Sequence, residues 1–153
     1  MKEEKATFAM GCFWHPQRVF DKIKGILDTK VGFMGGEPCS NLTYEQVCSG
    51  NTGHAEVIQV IFNPKVVSYE SLLKVFWKEH NPTTINRQGL DIGDQYRSVI
   101  FYHNESQKIA ALKSLKEEQK KLKTPIVTLI QKATKFYKAE EYHQKYFEKK
   151  SLF

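Results

Sequence analysis

Residues 5–16 read KATFAMGCFWHP, and this stretch predicts a strand that turns directly into a helix. Lys5–Met10 has the apolar run of a short strand. Gly11 permits a sharp turn, and Pro16 suits the first turn of a helix, where its missing N–H costs nothing. Cys12 is therefore expected at a strand-to-helix junction.

A cysteine at that junction has the properties of a nucleophile. The positive end of the helix dipole and the unpaired N–H groups of the first turn both favour a thiolate over a thiol. Phe13 and Trp14 place aromatic surface beside the sulfur. A reactive Cys12 is thus predicted, with a buried structural cysteine as the alternative.

Apolar spacing outward from this junction predicts a β-α-β-loop-β-α-loop-β-α-β order. The predicted elements are strands Lys5–Met10, Ile26–Met34, His54–Phe62, Arg97–His103 and Ile126–Ile130, helices Trp14–Lys24, Ser68–His80 and Asn104–Lys123, and a helical or coiled Tyr137–Glu148. The last of these helices is expected to be buried through Ile109, Leu112, Leu115 and Leu122. This order predicts the α+β class: a single-domain two-layer α/β sandwich over residues 1–153, with a ferredoxin-like or plait-like core and long functional loops.

Glu56 is the clearest candidate acid. By the period of two in a strand, it shares a face with Ile58, Val60 and Phe62. Loss of hydration penalises the charged carboxylate, so its pKa is expected to rise, and a carboxylic acid that stays protonated near neutral pH can donate a proton. The alternative is a strand-end glutamate turned to solvent, because the opposite face is nearly as apolar.

Further candidates lie in two long irregular segments, 37–53 and 83–96, which the fold is expected to bring beside Cys12. Tyr44 and Tyr96 carry phenols, which donate hydrogen bonds without bearing charge. Asp91 lies between two glycines in the second segment. The alternatives are packed aromatic rings for the tyrosines and an Asx-turn for the aspartate.

Composition narrows the function classes. The 153 residues are 41% hydrophobic and 26% charged, with a net charge of +6. No apolar run approaches the ~20 residues of a membrane span, and no secretory segment follows the charged first residues. The lysines alternate with Glu and Gln as on solvated helices, and arginine is scarce, so nucleic-acid binding is not expected. Three cysteines make no disulfide framework, which favours the cytoplasm.

The sequence gives little support for a metal site or for a thiol-protease pair. Cys39, Cys48 and His54 lack the Cys-x-x-Cys spacing of a zinc site, so no metal is expected. A Cys12–His pair with His54 or His80 as base is conceivable, although no local feature supports it.

Several ungapped motifs resemble one known family, methionine sulfoxide reductase A. They cover nearly the whole chain in order: residues 11–14, 31–36, 43–56, 76–77, 80–84, 86–89, 91–98 and 140–146. The resemblance implies an enzyme that reduces the S epimer of methionine sulfoxide, free or in proteins, and so repairs oxidised proteins under oxidative stress. It departs from the family pattern after Trp14, where His15, Pro16 and Gln17 replace the usual Gly, a variable residue and Glu.

The resemblance also implies the role of each candidate. The implied set is Cys12 as the nucleophile that becomes a sulfenic acid, Glu56 as the acid, Tyr44 and Tyr96 as donors to the sulfoxide oxygen, Asp91 as an organising acidic residue, and Phe13 and Trp14 as the pocket for the substrate methyl group. Other readings are a non-catalytic module that binds sulfoxide or methionine, and a different thiol enzyme such as a peroxidase or hydrolase.

How Cys12 returns to the thiol is the open question. A monomer with no bound cofactor is expected, reduced by an external thiol: thioredoxin, glutaredoxin or a small thiol. Cys39, in a glycine-flanked loop, is the predicted resolving cysteine, with direct external reduction of Cys12 as the alternative. Cys48 is expected to be buried.

Overall fold

The computed structural model describes residues 3–39 and 42–146. Its strands are β1 Glu4–Met10, β2 Ile26–Met34, β3 Ala55–Phe62, β4 Arg87–Gln88, β5 Asp91–Ile92, β6 Ser98–Tyr102, β7 Leu129–Lys132 and β8 Tyr137–Lys138. Its helices are α1 Trp14–Asp21, α2 Tyr44–Cys48, α3 Tyr69–Lys78 and α4 Glu105–Gln119. Short 3₁₀ turns cover Asp94–Tyr96 and Glu141–His143.

Six of these strands form one mixed sheet in the order β7-β6-β1-β3-β2-β8. All of its pairings are antiparallel except that of β6 with β7. Met10 at the end of β1 pairs with Ser98 at the start of β6, and Glu56 at the start of β3 pairs with Phe33 near the end of β2. The register therefore brings the chain entering Cys12, the acid and the segment after Tyr96 to one edge of the sheet.

The main core lies between one face of the sheet and the helices. Phe8 of β1 packs against Phe20 of α1 and Phe76 of α3, with ring centroids 5.7 and 5.3 Å apart. A smaller apolar cluster on the opposite face includes Val57 and Phe101 and is packed by Phe136. The predicted α+β class is confirmed, while its ferredoxin-like or plait-like subtype and its extent as one domain stay predictions.

Both long irregular segments contain regular structure that the sequence analysis missed. Within 37–53, helix α2 begins with a capping box: the Thr43 hydroxyl accepts from the Gln46 N–H, and the Gln46 side chain accepts from the Thr43 N–H. That Thr-x-x-Gln pattern is a helix-start signal. Within 83–96, β4 and β5 form a small hairpin. Both predictions of plain loop were wrong because these elements are only a few residues long.

The C-terminal third differs most from the predictions. The last predicted strand, Ile126–Ile130, is observed as β7 at Leu129–Lys132. Its position is set by parallel pairing with β6. Ile109 and Leu112 were expected in the core but are exposed; α4 buries Gln107 and Ala111 instead. The predicted helical or coiled segment from residue 137 begins as edge strand β8, and residues 147–148 lie outside the described part of the chain.

Candidate active site

Gly11 shapes the turn that presents Cys12. Its φ of +93° lies in the region that favours glycine. A Cβ atom there would come within 2.8 Å of Cγ of Gln88, so the β4–β5 hairpin packs directly against the turn. The predicted strand–glycine–cysteine–helix junction is confirmed, and the hairpin that carries Asp91 is part of its surroundings.

The Cys12 sulfur accepts a hydrogen bond from the main-chain N–H of Trp14, which lowers its pKa as a helix N-terminus should. Burial opposes this and is the larger effect, and the charges of Glu56, Asp91 and Cys48 add to it, so the pKa rises to about 12. The helix terminus therefore favours the thiolate, as expected, without ionising Cys12 at rest. Removal of water from the sulfur outweighs one donor.

Glu56 is completely buried and faces the main core, as the strand period predicted. Its Oε1 accepts a hydrogen bond of 3.3 Å from the Phe13 N–H, while Oε2 is buried and has no hydrogen-bond partner among residues 3–39 and 42–146. Burial raises its pKa to about 8, with a further contribution from the charge of Asp91, although the Phe13 N–H lowers it. Glu56 is therefore a neutral acid at neutral pH, with one oxygen unpartnered.

Two phenols stand beside this acid. The Tyr44 hydroxyl hydrogen-bonds to the hydroxyl of Tyr96 and donates to the sulfur of Cys48. Burial is the main cause that raises both pKa values, that of Tyr96 to about 12, and the charge of Glu56 adds to it. Both phenols therefore stay protonated and able to donate at neutral pH.

Asp91 acts on the site through its negative charge. It lies in β5 of the hairpin and is exposed, and its charge raises the pKa values of Cys12, Glu56 and Tyr96. The structure therefore gathers the five predicted catalytic positions into one electrostatic neighbourhood, from segments far apart in the chain.

Aromatic rings form one wall of the site. Phe13 is buried against Phe33, and Trp14 lies between the rings of Tyr44 and Tyr146, with centroids 6.5 and 3.8 Å away. The wall also includes His143, which the sequence analysis did not single out. Its Nδ1 accepts a hydrogen bond of 3.1 Å from Trp14 Nε1, and its ring centroid lies 4.3 Å from that of Tyr44.

Two further residues were misjudged or missed. Cys48, expected to be buried, is exposed at the end of α2. Its sulfur is hydrogen-bonded to Tyr44 and to the side chain of Gln95, a buried residue beside Tyr96. The spacing of Tyr44 and Cys48, four residues apart on a helix, could have indicated their common face.

The two histidines considered as bases for Cys12 have structural partners. His54 Nδ1 accepts from the Gly36 N–H, and its Nε2 lies 2.7 Å from the Glu37 carbonyl. The nitrogens of His80 lie 2.6 Å from the Phe76 carbonyl and 2.7 Å from Ser98 Oγ. Burial lowers the pKa of His80 to about 4. The nitrogens of both rings therefore have hydrogen-bond partners other than Cys12, which disfavours a Cys–His pair.

Comparison with known proteins identifies the family. The family model described as peptide methionine sulfoxide reductase matches residues 4–152. The chain belongs to this family. It is 61% identical over 151 residues to the peptide methionine sulfoxide reductase MsrA of Methanosarcina acetivorans, covering 97% of this chain and 80% of that one.

Solved structures of relatives have the same fold. The reduced form of Mxr1 from Saccharomyces cerevisiae matches with a TM-score of 0.94 at 40% identity, covering 99% of this chain and 88% of the other. Mxr1 in complex with Trx2 matches with a TM-score of 0.68 at 30% identity, covering 95% and 85%. These likenesses favour the reductase over a binding module, a peroxidase or a hydrolase.

Two of the departures from the family pattern, His15 and Gln17, have hydrogen-bond partners outside the set of reacting groups. Gln17 is buried, and its side chain donates to Thr29 and accepts from the Lys145 N–H at 2.6 Å. His15 Nε2 lies 3.2 Å from Glu79 Oε1 at the surface. Gln17 therefore ties α1 to β2 and to the segment after His143.

No group of three or more His, Cys, Asp or Glu within residues 3–39 and 42–146 is arranged to hold a metal ion. In the same described part of the chain, none of the helices has the length and apolar character needed to span a bilayer. Cys39 is half-buried, and its main-chain N–H donates to the Tyr137 hydroxyl at 3.0 Å.

Proposed function

We propose that Cys12, Glu56, Tyr44 and Tyr96 carry out the reaction of this family, the thiol-dependent reduction of methionine S-sulfoxide to methionine. The chemical difficulty is that a sulfoxide sulfur becomes electrophilic only when its oxygen is polarised or protonated. A site for this reaction therefore needs neutral proton donors around the oxygen and a nucleophile beside the sulfur.

The donors have the required protonation states. Glu56, with a pKa of about 8, holds a proton at neutral pH, and its unpartnered Oε2 can present that proton to the sulfoxide oxygen. The hydroxyls of Tyr44 and Tyr96 donate hydrogen bonds to the same oxygen. None of the three groups places a negative charge where negative charge develops.

Attack by Cys12 transfers two electrons from the cysteine sulfur to the substrate sulfur. Cys12–SH and the sulfoxide give Cys12–SOH and methionine: the cysteine sulfur loses two electrons and the substrate sulfur gains two. Because the pKa of Cys12 is about 12, its proton is present at rest and must leave as the S–S contact forms. Glu56, having given its proton to the oxygen, becomes the carboxylate that accepts it.

The surrounding residues orient the substrate. Phe13 and Trp14 supply the apolar wall against which the substrate methyl group packs, and His143 fixes the indole of Trp14. Asp91 helps keep Glu56 protonated through its charge. Because these groups come from segments between residues 12 and 143, we propose that residues 1–153 act as one catalytic domain.

The buried carboxyl of Glu56, whose Oε2 has no hydrogen-bond partner among the described residues, carries this proposal, and Glu56→Gln tests it. With dithiothreitol and the S epimer of a methionine sulfoxide substrate, kcat/KM should fall by about 10²-fold or more, the usual contribution of a positioned acid. Glu45→Gln, an exposed carboxylate on α2, is the matched control and should leave the rate unchanged. Full activity of Glu56→Gln would contradict the assignment.

Regeneration requires an external thiol, and we propose a dithiol of the thioredoxin type, working with a monomeric enzyme in the cytoplasm. The complex of the relative Mxr1 with Trx2 supports a protein reductant. A site assembled from one chain supports the monomer. Glutaredoxin and small thiols are the alternatives, and turnover with each reductant in a coupled assay distinguishes them.

A further inference from the structure

We infer that Cys48 is the thiol that resolves the Cys12 sulfenic acid, an inference that rests on the proposed attack by Cys12. Cys39, in the preceding loop, was the sequence-based candidate for this role. The contacts around the two sulfurs distinguish them.

Helix α2 holds Cys48 within the site. Tyr44 and Cys48 begin and end this helix and lie four residues apart, so their side chains project from one face. The Tyr44 hydroxyl donates to the Cys48 sulfur, and the side chain of Gln95 makes a second hydrogen bond to it. The Cys48 sulfur is thus fixed by the phenol that is proposed to contact the substrate and by the residue next to Tyr96.

Electrostatic coupling joins the two thiols. The charges that raise the pKa of Cys12 are those of Glu56, Asp91 and Cys48, and Cys48 also raises the pKa of Tyr96. The ring contacts agree: Tyr44, which shares a face of α2 with Cys48, has its ring centroid 6.1 Å from that of Phe13, the residue after Cys12, so α2 lies beside the nucleophile. The main-chain N–H of Cys39 instead donates to the hydroxyl of Tyr137 in edge strand β8.

The position of Cys48 also suits the rest of the cycle. Cys48 is exposed, whereas Cys12 is only half-exposed, so an external dithiol reaches the Cys48 sulfur more readily. Gly50 lies two residues after it, and a Cβ added there would meet no atom of the described residues within 4 Å.

The resolving step is a simple condensation. Cys48–SH attacks the sulfur of Cys12–SOH, the Cys12–Cys48 disulfide forms, and water leaves with the sulfenic oxygen and the thiol proton. An external dithiol then reduces this bond: Cys12 and Cys48 regain their thiols, and the reductant becomes a disulfide.

A single-turnover experiment tests the inference. The fully reduced protein is mixed with excess S epimer of methionine sulfoxide and no reductant, and methionine formed and thiols lost are counted. The parent should form one methionine and lose two thiols, and peptide mapping without reduction should find Cys12 joined to Cys48. Cys39→Ser should behave in the same way.

Cys48→Ser should still form one methionine but lose one thiol and accumulate a sulfenic acid that dimedone traps. With thioredoxin as reductant, its turnover should fall at least tenfold. A Cys12–Cys39 link, or one thiol lost in the parent, would overturn the inference. Absence of methionine from the parent would instead refute the proposed attack by Cys12, so the two failures are distinguishable.

Discussion

The main-chain N–H of Phe13, the residue after Cys12, donates a hydrogen bond of 3.3 Å to Oε1 of Glu56. The main-chain N–H groups at the start of α1 therefore donate to two different side chains. The N–H of Phe13 donates to the Glu56 carboxyl, and the N–H of Trp14 donates to the Cys12 sulfur. Neither group receives enough donors to offset its burial. Glu56 and Cys12 therefore both hold their protons at neutral pH in the resting enzyme. They ionise only when substrate is bound and the reaction begins.

The pH dependence of catalysis should follow Glu56. Because the acid must be protonated and its pKa is about 8, kcat/KM should be level near neutrality and fall as pH rises through about 8. Rates with dithiothreitol in large excess, corrected for its own ionisation, measure the profile. The residual activity of Glu56→Gln should lack this alkaline limb; the same limb in that variant would assign it to another group.

Glu56 should also make folding less favourable at alkaline pH. Its pKa is raised from 4.5 to about 8, so the native state keeps a proton that the unfolded chain releases as pH rises between those values. The cost is absent below pH 4.5, grows toward pH 8 and reaches at most about 5 kcal/mol. Thermal unfolding should show Glu56→Gln gaining more stability over the parent at pH 9 than at pH 5, and an equal difference at both would be inconsistent with this.

Each of the two phenols should contribute to the rate of the reaction. Tyr44→Phe and Tyr96→Phe should each lower kcat/KM about tenfold to a hundredfold, since each removes one donor to the developing charge. In either variant the other phenol remains, so the double variant should lose more than each single one. Tyr142→Phe, at an exposed ring, is the control. Wild-type rates in the double variant would remove the phenols from the mechanism.

His143 should act as a positioning residue through Trp14. His143→Phe removes the acceptor of the indole N–H, so KM should rise several-fold with a smaller change in kcat. His143→Gln, which keeps an acceptor, should recover part of the loss. Tryptophan fluorescence in a Trp77→Phe background reports Trp14 alone and should change in His143→Phe. An unchanged spectrum and KM would mean that Trp14 is fixed by its other neighbours.

Acid should destabilise the protein through His80. Burial lowers its pKa from 6.5 to about 4, so the unfolded chain binds a proton between those values that the native state does not. Stability attributable to His80 is complete above pH 6.5 and decreases by about 3 kcal/mol as pH falls to 4. Chemical denaturation across this range should be flatter for His80→Gln than for the parent; matching slopes would contradict the assignment.

The sequence was informative where the signal is local. The strand–Gly–Cys–helix junction and the α+β class follow from periodicity and turn chemistry within short windows, whereas periodicity alone left the direction of Glu56 open because both faces of its strand are apolar. The motifs were sufficient to indicate the family. Short elements such as α2 and the β4–β5 hairpin were not predicted because a few residues give little periodicity. The buried face of α4 was predicted wrongly because Ile109 and Leu112 have helical spacing but do not face the core.

The sequence by itself determined which groups are available: a thiol at Cys12, an acid at Glu56, and phenols at Tyr44 and Tyr96. Only the tertiary structure decided their protonation states and neighbours. Burial, which depends on contacts between distant segments, raises the pKa of Cys12 to about 12 and keeps it a thiol, although the start of α1 favours the thiolate. The same long-range packing put His143 against Trp14 and Cys48 within the electrostatic reach of Cys12, relationships that no local spacing encodes.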